Sequence, residues 1–313
     1  MDFEDKRHRE NAYLVSRATP ITALNQGRKS VMELKSPLSL PPRACNAHCH
    51  VFGPRDRFPY PPDGTFIPSA DAPKEALVAL NDRLGLQRCV VVQSGCHGFD
   101  NAVSEDAVAS RPQSYRAIAL LPTSVSDPEL GRLDAAGFRG VRFNYMGHLG
   151  RQTPIDEVLT LAGRLEPLGW HLQIHGDPCL LTEMAGSLKR SPVPVVIDHI
   201  GRIDASQGML QPDFKALLAL MRDERFWVKV SGMDRITRSG PPYLDAQPFA
   251  RTLVAEFGDR VVWGNDWPHP NHAGPLPDEQ QLVDLIAAIA PGEAQRQRLM
   301  VDNPQRLYRF GEG

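Results

Sequence analysis

Apolar positions along this chain fall into two alternating rhythms. Short runs rich in β-branched and other large apolar residues recur eight times: ACNAHCHVF (44–52), RCVVVQSG (88–95), YRAIALLP (115–122), FRGVRFNY (138–145), HLQIHG (171–176), VVIDHI (195–200), FWVKVSG (226–232) and VVWGNDWP (261–268). Between them lie longer stretches with apolar residues three and four apart, such as APKEALVALNDRLG, PELGRLDAAG, PIDEVLTLAGRLEPLG, DFKALLALMRDE and PFARTLVAEFG, which predict amphipathic helices. Several close on a glycine (Gly85, Gly137, Gly169, Gly258), as helices often do. Strict alternation of β and α units predicts a parallel sheet. Eight such units over about 270 residues fit an α/β fold of the closed (β/α)8 TIM-barrel type, in one domain, better than an open doubly wound sheet.

Ahead of the first unit, residues 1–43 read as a polar N-terminal arm that ends in SPLSLPP, where Pro37, Pro41 and Pro42 discourage helix and strand. The expected division is therefore an arm over 1–43 and a catalytic barrel over 44–313. Hydrophobic content of 42% and charged content of 23% are those of an ordinary globular protein, and a formal net charge of -2 gives no reason to expect a nucleic-acid or membrane partner. The opening MDFEDKRHRE is charged where a signal peptide needs an apolar core, and no run reaches membrane-spanning length, so the expected location is the cytoplasm. Five scattered cysteines without CxxC spacing argue against a disulfide framework and a zinc knuckle. No GxGxxG follows an early strand and no GxxxxGK[ST] occurs, so nucleotide-binding folds lack their phosphate loops.

The candidate chemistry sits at the ends of the predicted strands, where barrels of this type gather reactive residues. His48 and His50 are two apart, so both imidazoles point to one side of an extended segment, as metal ligands or as polar substrate clamps. The second strand ends in Gln93 and Ser94, the fourth carries Arg142 and Asn144, and the fifth and sixth present His175 and His199. The seventh offers Lys229 or Ser231 with Arg235 beyond, and the eighth Asp266 with His269. Asp198 either points into the helix layer or orients a neighbour. His148 lies just past the fourth strand. Phe58, Tyr60 and Pro62 either roof the pocket or form a surface loop. His8, His171 and His272 have no such placement and read as surface residues.

An HxH on strand one, a His ending strand five, a His ending strand six and an Asp ending strand eight resemble the metal-site template of the amidohydrolase superfamily. Over residues 44–310 the words HCHVFGP, FPYPP, VVVQSGCHG, GFRGVRFN, DHIGR, WGNDWPHPN and VDNPQRLY are similar to the branch that contains 2-pyrone-4,6-dicarboxylate lactonases, 4-sulfomuconolactone hydrolases and galactarolactone isomerases. The resemblance implies a hydrolase that opens a small anionic lactone in aromatic-compound catabolism. The alternatives on the same barrel are a sugar-acid lactone isomerase and a metal-dependent decarboxylase. A homo-oligomer is compatible with it.

Strand four has neither the Lys nor the Glu that a two-metal site needs. The single-metal template would be filled by His48, His50, His175 and Asp266, a nitrogen-and-oxygen set suited to Zn²⁺. Metal-free relatives carry Tyr where this chain has His175, which favours one Zn²⁺. The other reading has His48, His50 and His175 donating hydrogen bonds to the substrate carbonyl without an ion. Either way Asp266 is the expected general base, with His199 bonding the water or the carbonyl oxygen. Arg142 and Arg235 are expected to bind the substrate anions, supported by Ser94, Arg202, His148 and His269. The dicarboxylate lactonases carry a second Arg just after strand four, where this chain has YMGHLG. That departure and His175 together shift weight towards a sulfomuconolactone-like substrate.

Overall fold

The computed structural model describes residues 38–62, 64–147, 152–272 and 274–311. Most of the expected arm lies outside them; Pro37–Gly313 form one compact unit. All eight predicted runs form strands: β1 Cys45–Cys49, β2 Arg88–Val92, β3 Tyr115–Ala119, β4 Phe138–Tyr145, β5 His171–Gly176, β6 Val195–Ile197, β7 Phe226–Lys229 and β8 Val261–Val262. They pair in chain order, each parallel to the next. The predicted amphipathic stretches form helices including Lys74–Leu84, Asp127–Ala135, Ile155–Leu165, Pro212–Met221 and Gln247–Glu256. The first stops at Gly85, whose φ of 74° is costly for a residue with a Cβ. Among the described residues no helix is long and apolar enough to cross a membrane.

Two apolar layers follow from the strand alternation. Outward residues such as Cys89, Val91, Ala117, Val141, Leu172 and Val228 pack beneath the helices. Inward residues Cys45, Ala47, Val90, Val92, Ile118, Val196, Trp227 and Val262 fill the barrel, with Tyr308 and Phe310 in the same cluster. Strict alternation from Cys45 and Ala47 would send His48 and His50 outward with Asn46. The register of β1 shifts between Asn46 and Cys49, and this bulge reverses the phase. Cys49 then joins the outer layer and the two histidines face inward.

The seam between β1 and the segment after β8 closes the ring. Ala47 N–H donates to Trp263 O (2.8 Å), Asp266 N–H to His48 O (2.9 Å) and His50 N–H to Trp267 O (2.7 Å). Asn46 Nδ2 donates to Asn265 Oδ1 (2.7 Å), and Asn265 Nδ2 to Glu279 Oε2 (2.7 Å). Asp266, His269 and Asn271 all have φ between 56° and 65°, so this loop is held in a conformation non-glycine residues rarely adopt. His269 is the second staple: its Nε2 lies 2.9 Å from Glu279 Oε1 and its Nδ1 3.7 Å from Asp234 Oδ2. Burial disfavours the charged ring, but the contacts with Asp234 and Glu279 outweigh it and push His269 up to about 9.

Two outcomes test this seam. A Cβ at Gly264 would lie 2.6 Å from His48 Cβ and crowd the β1 backbone, so Gly264→Ala should cost about 1–3 kcal/mol, as overpacking does, and lower the thermal midpoint. An unchanged midpoint would mean the seam is loose. The raised pKa of His269 implies stability that is complete below its unfolded value near 6.5 and lost as pH climbs through about 9. Glu279→Gln should therefore melt below wild type at pH 6, with the gap narrowing towards pH 10. A gap that stays constant across that range would remove the ion pair from the account.

Candidate active site

Four imidazoles share one design at the mouth of the barrel: each fixes its δ nitrogen to a neighbour. His50 Nδ1 lies 2.7 Å from Val92 O, His199 Nδ1 3.0 Å from Ser231 Oγ and His175 Nδ1 3.1 Å from Asn144 Oδ1. His48 Nδ1 sits between Lys229 Nζ (3.2 Å) and Asp198 Oδ1 (3.4 Å). The ε nitrogens of His50, His48 and His199 then approach Asp266 Oδ1 at 3.2, 3.6 and 3.9 Å. The other carboxylate oxygen is taken by Arg235, whose Nη2 and Nε donate to Oδ2 at 2.7 and 3.0 Å.

Electrostatics hold this set in defined states. Burial raises the Asp266 carboxyl, yet Arg235 first, and then the surrounding imidazoles, overcome it and keep the group well below the usual carboxylate range. Burial and the Lys229 charge press His48 down to about 3. Burial, aided by Arg142, holds His175 well below the ordinary imidazole value, and burial does the same for His199 against the pull of Asp266. These three rings are therefore neutral at neutral pH.

A carbonyl oxygen only accepts, so Nδ1 of His50 carries a proton, and the ring turns its Nε2 to Asp266 Oδ1 at 3.2 Å. His48 Nε2 and His175 Nε2 are buried with no hydrogen-bond partner among the described residues. Buried ring nitrogens that gather around a carboxylate suit a cation. His48, His50 and Asp266 offer ligand atoms all within 4.8 Å of one another, as do His48, Asp198 and His199. The residues fit a metal ion. Of the four ligands expected, His175 falls outside both groups; its ring packs edge-on against His199 with centroids 5.4 Å apart.

Above the imidazoles is a cavity of about 130 Å³ lined by His50, Ser94, Arg142, Asn144, His175, His199, Arg202, Arg235 and Asp266. Three guanidiniums thus face it against a single carboxylate. Arg142 is held by Asp198 Oδ2 (2.9 Å) and Arg235 by Asp266. Among the described residues Arg202, although largely enclosed, has no ion pair or hydrogen bond from its guanidinium.

Other expected residues are placed differently. His269 does not line the cavity, because Glu279 and Asp234 engage its ring. His171 is not a surface residue: it is 1% exposed, shares the inward face of β5 with His175, and packs against Tyr308 at 5.5 Å. His272 is half-buried, 3.6 Å from Asp234. His148 and His8 lie outside the described residues. Asp198 points into the barrel, not the helix layer. Of the two alternatives on strand seven both act, Lys229 on His48 and Ser231 on His199. Tyr60 packs at a tilt against His97 with centroids 4.7 Å apart, while Thr65 and Phe66 from the same loop reach the cavity wall. Sequence reasoning missed these two and Met146, Asn271 and Gln173. Only Gln173 left a signal, two residues before His175 on one strand face.

Comparison with known proteins agrees with this geometry. The amidohydrolase family profile matches residues 45–310. A 2-pyrone-4,6-dicarboxylate hydrolase from Comamonas testosteroni is 45% identical over 283 residues, covering 88% of this chain and 92% of that protein. A 4-sulfomuconolactone hydrolase from Hydrogenophaga intermedia is 38% identical, covering 86% and 89%. The solved structure of a probable 2-pyrone-4,6-dicarboxylic acid hydrolase from Acinetobacter baumannii, with citric acid bound, is 26% identical, covers 86% of this chain and all of that one, and superposes with a TM-score of 0.76. From the first strand to the last helix, this chain belongs to the amidohydrolase family.

Proposed function

We propose that the chain hydrolyses a small unsaturated lactone bearing two anionic groups, of the 2-pyrone-4,6-dicarboxylate or 4-sulfomuconolactone type, in the breakdown of aromatic compounds. The observation that carries this reading is the charge of the cavity wall: Arg142, Arg202 and Arg235 against Asp266 alone. Guanidinium groups pair with planar carboxylates and sulfonates through parallel hydrogen bonds. The two curated relatives described above act on lactones that carry such groups, and citrate, a small polyanion, is bound in the A. baumannii structure.

Ring opening needs an activated water, a stabiliser for the oxyanion and an acid for the leaving oxygen. Asp266 Oδ1 is the base that takes a proton from the attacking water and returns it to the leaving oxygen. Arg235 on Oδ2 keeps the carboxylate ionised and turns Oδ1 towards the imidazoles. His199, anchored through Nδ1 on Ser231, presents Nε2 to the water or the carbonyl oxygen. Ser94 and Arg202, in the wall of the same cavity as Asp266, orient the substrate. His148, beyond the end of β4, is a further candidate for the substrate's anionic edge. His48, His50 and Asp266 would hold one Zn²⁺, with His175 as the candidate fourth ligand; when bound, the ion would supply Lewis acidity and lower the pKa of a water from about 15.7 towards about 7.

A panel of anionic lactones assayed with and without zinc tests the reading, with products identified by NMR. Hydrolysis yields the ring-opened acid; a ring-shifted lactone would establish an isomerase instead, and released carbon dioxide a decarboxylase. Asp266→Asn should lower turnover at least ~10²-fold, the scale of a lost general base. Near-normal turnover would remove Asp266 from that role. Chelation should abolish activity and zinc restore it. Full activity at zero metal would reject the ion and leave the lactonase reading standing.

A further inference from the structure

Beneath the cavity lies a polar layer that the proposed chemistry does not use: Gln173 on β5, Asp198 after β6 and Lys229 on β7, none more than 1% exposed. Charges this deep persist when each donor and acceptor is answered. Asp198 Oδ2 accepts from Arg142 Nε (2.9 Å) and Gln173 Nε2 (3.0 Å). Lys229 Nζ donates to Gln173 Oε1 (2.8 Å) and Ala47 O (3.0 Å). Three groups are left to pair: the third ammonium proton, Asp198 Oδ1 and His48 Nδ1. They stand 3.2 Å apart for Lys229–His48, 3.4 Å for His48–Asp198 and 3.7 Å for Lys229–Asp198.

Two arrangements exist. If Lys229 donates to His48 Nδ1, the ring proton moves to Nε2, and the buried Asp198 Oδ1 is left without a donor. If His48 Nδ1–H donates to Asp198 Oδ1, that oxygen gains a donor beside its ion pair with Lys229 at 3.7 Å, and only the neutral His48 Nε2 is left bare. Leaving a charged carboxylate oxygen without a donor costs more than leaving a neutral imidazole nitrogen so, which decides between two contacts of nearly equal length. We infer that Asp198, neutralised by Lys229 and Arg142 and tied to Lys229 through Gln173, is a positioning residue that fixes His48 as its Nδ1–H tautomer. His48 then presents an Nε2 lone pair to Asp266 Oδ1. It is a ligand for a cation and not a hydrogen-bond donor to a substrate carbonyl. The inference deepens the metal part of the proposed function and is independent of the substrate.

The test is ¹⁵N NMR of histidine-labelled, metal-stripped protein at neutral pH, with the His48 signals identified by their absence in His48→Asn. The expected spectrum shows His48 protonated at Nδ1 and bare at Nε2. A proton on Nε2 in the wild-type protein overturns the inference while leaving lactone hydrolysis untouched. Asp198→Asn should move the proton towards Nε2 and weaken zinc binding about 10–100-fold, measured by competition with a chromophoric chelator, as loss of an outer-shell carboxylate does. Unchanged tautomer and zinc affinity in a folded variant would also overturn it. Should that variant fail to fold, the wild-type spectrum alone decides.

Discussion

The site depends on one seam, where β1 meets the chain leaving β8. His48 and His50 come from the first strand and Asp266 from beyond the last, 216 residues after His50. What brings them within 3.6 Å is a short set of backbone hydrogen bonds, with Asn46 and Asn265 locking side chain to side chain. The geometry leaves little slack. Gly264 lies so close to β1 that no side chain fits, and Asp266 adopts a positive φ that turns its carboxylate inward. Strain of this kind persists only where surrounding contacts over-determine it. Here Glu279 supplies them, bonding Asn265 with one oxygen and His269 with the other.

That seam would hold an apolar barrel as well; what the interior adds is charge. The barrel grades from Cys45, Val90 and Trp227 to a layer of Gln173, Asp198 and Lys229 beneath the cavity and Arg142 in its wall. Desolvation opposes each of these charges, so each carboxylate is matched: Asp198 with Arg142 and Lys229, Asp266 with Arg235. The matching stops at Arg202, whose guanidinium faces the cavity with no acid of its own among the described residues. An unmatched, half-buried cation at the mouth favours an anion beside it. On the proposed reading, that anion is carried by the substrate.

Much of this was legible in the sequence because barrels translate order into position. Eight runs gave eight strands, and the run ends gave His48, His50, His175, His199 and Asp266. The two-residue spacing of His48 and His50 correctly put both on one face. Which face was not legible: uninterrupted alternation from Cys45 points them outward, and the inward phase comes from a bulge that no residue type announces. His171 was misread as a surface residue because it does not end a strand, although its spacing from His175 places it on the inward face. His269 carries the right charge for a substrate anion when protonated, but carboxylates from other turns claim it, and pairings across the fold leave no local trace.

The balance of donors and acceptors around Asp266 Oδ1 is what the scaffold can tune. Val92 O fixes the His50 proton on the far side of the ring. The Asn144 amide oxygen does the same for His175, leaving its buried Nε2 as another lone pair. A tyrosine in place of His175, as in the metal-free lactonases this sequence resembles, would put a hydroxyl donor where the histidine puts an acceptor. One substitution on β5 therefore changes the sign of what the pocket lacks. With a donor present, a substrate carbonyl can be polarised by hydrogen bonds alone. With the histidine, lone pairs gather around a carboxylate already engaged on its outer oxygen, and the compensating positive charge has to come from a proton or a metal ion. Burial presses His48, His175 and His199 towards their neutral forms, which disfavours the proton. The cation that this arrangement of lone pairs accommodates best is a metal.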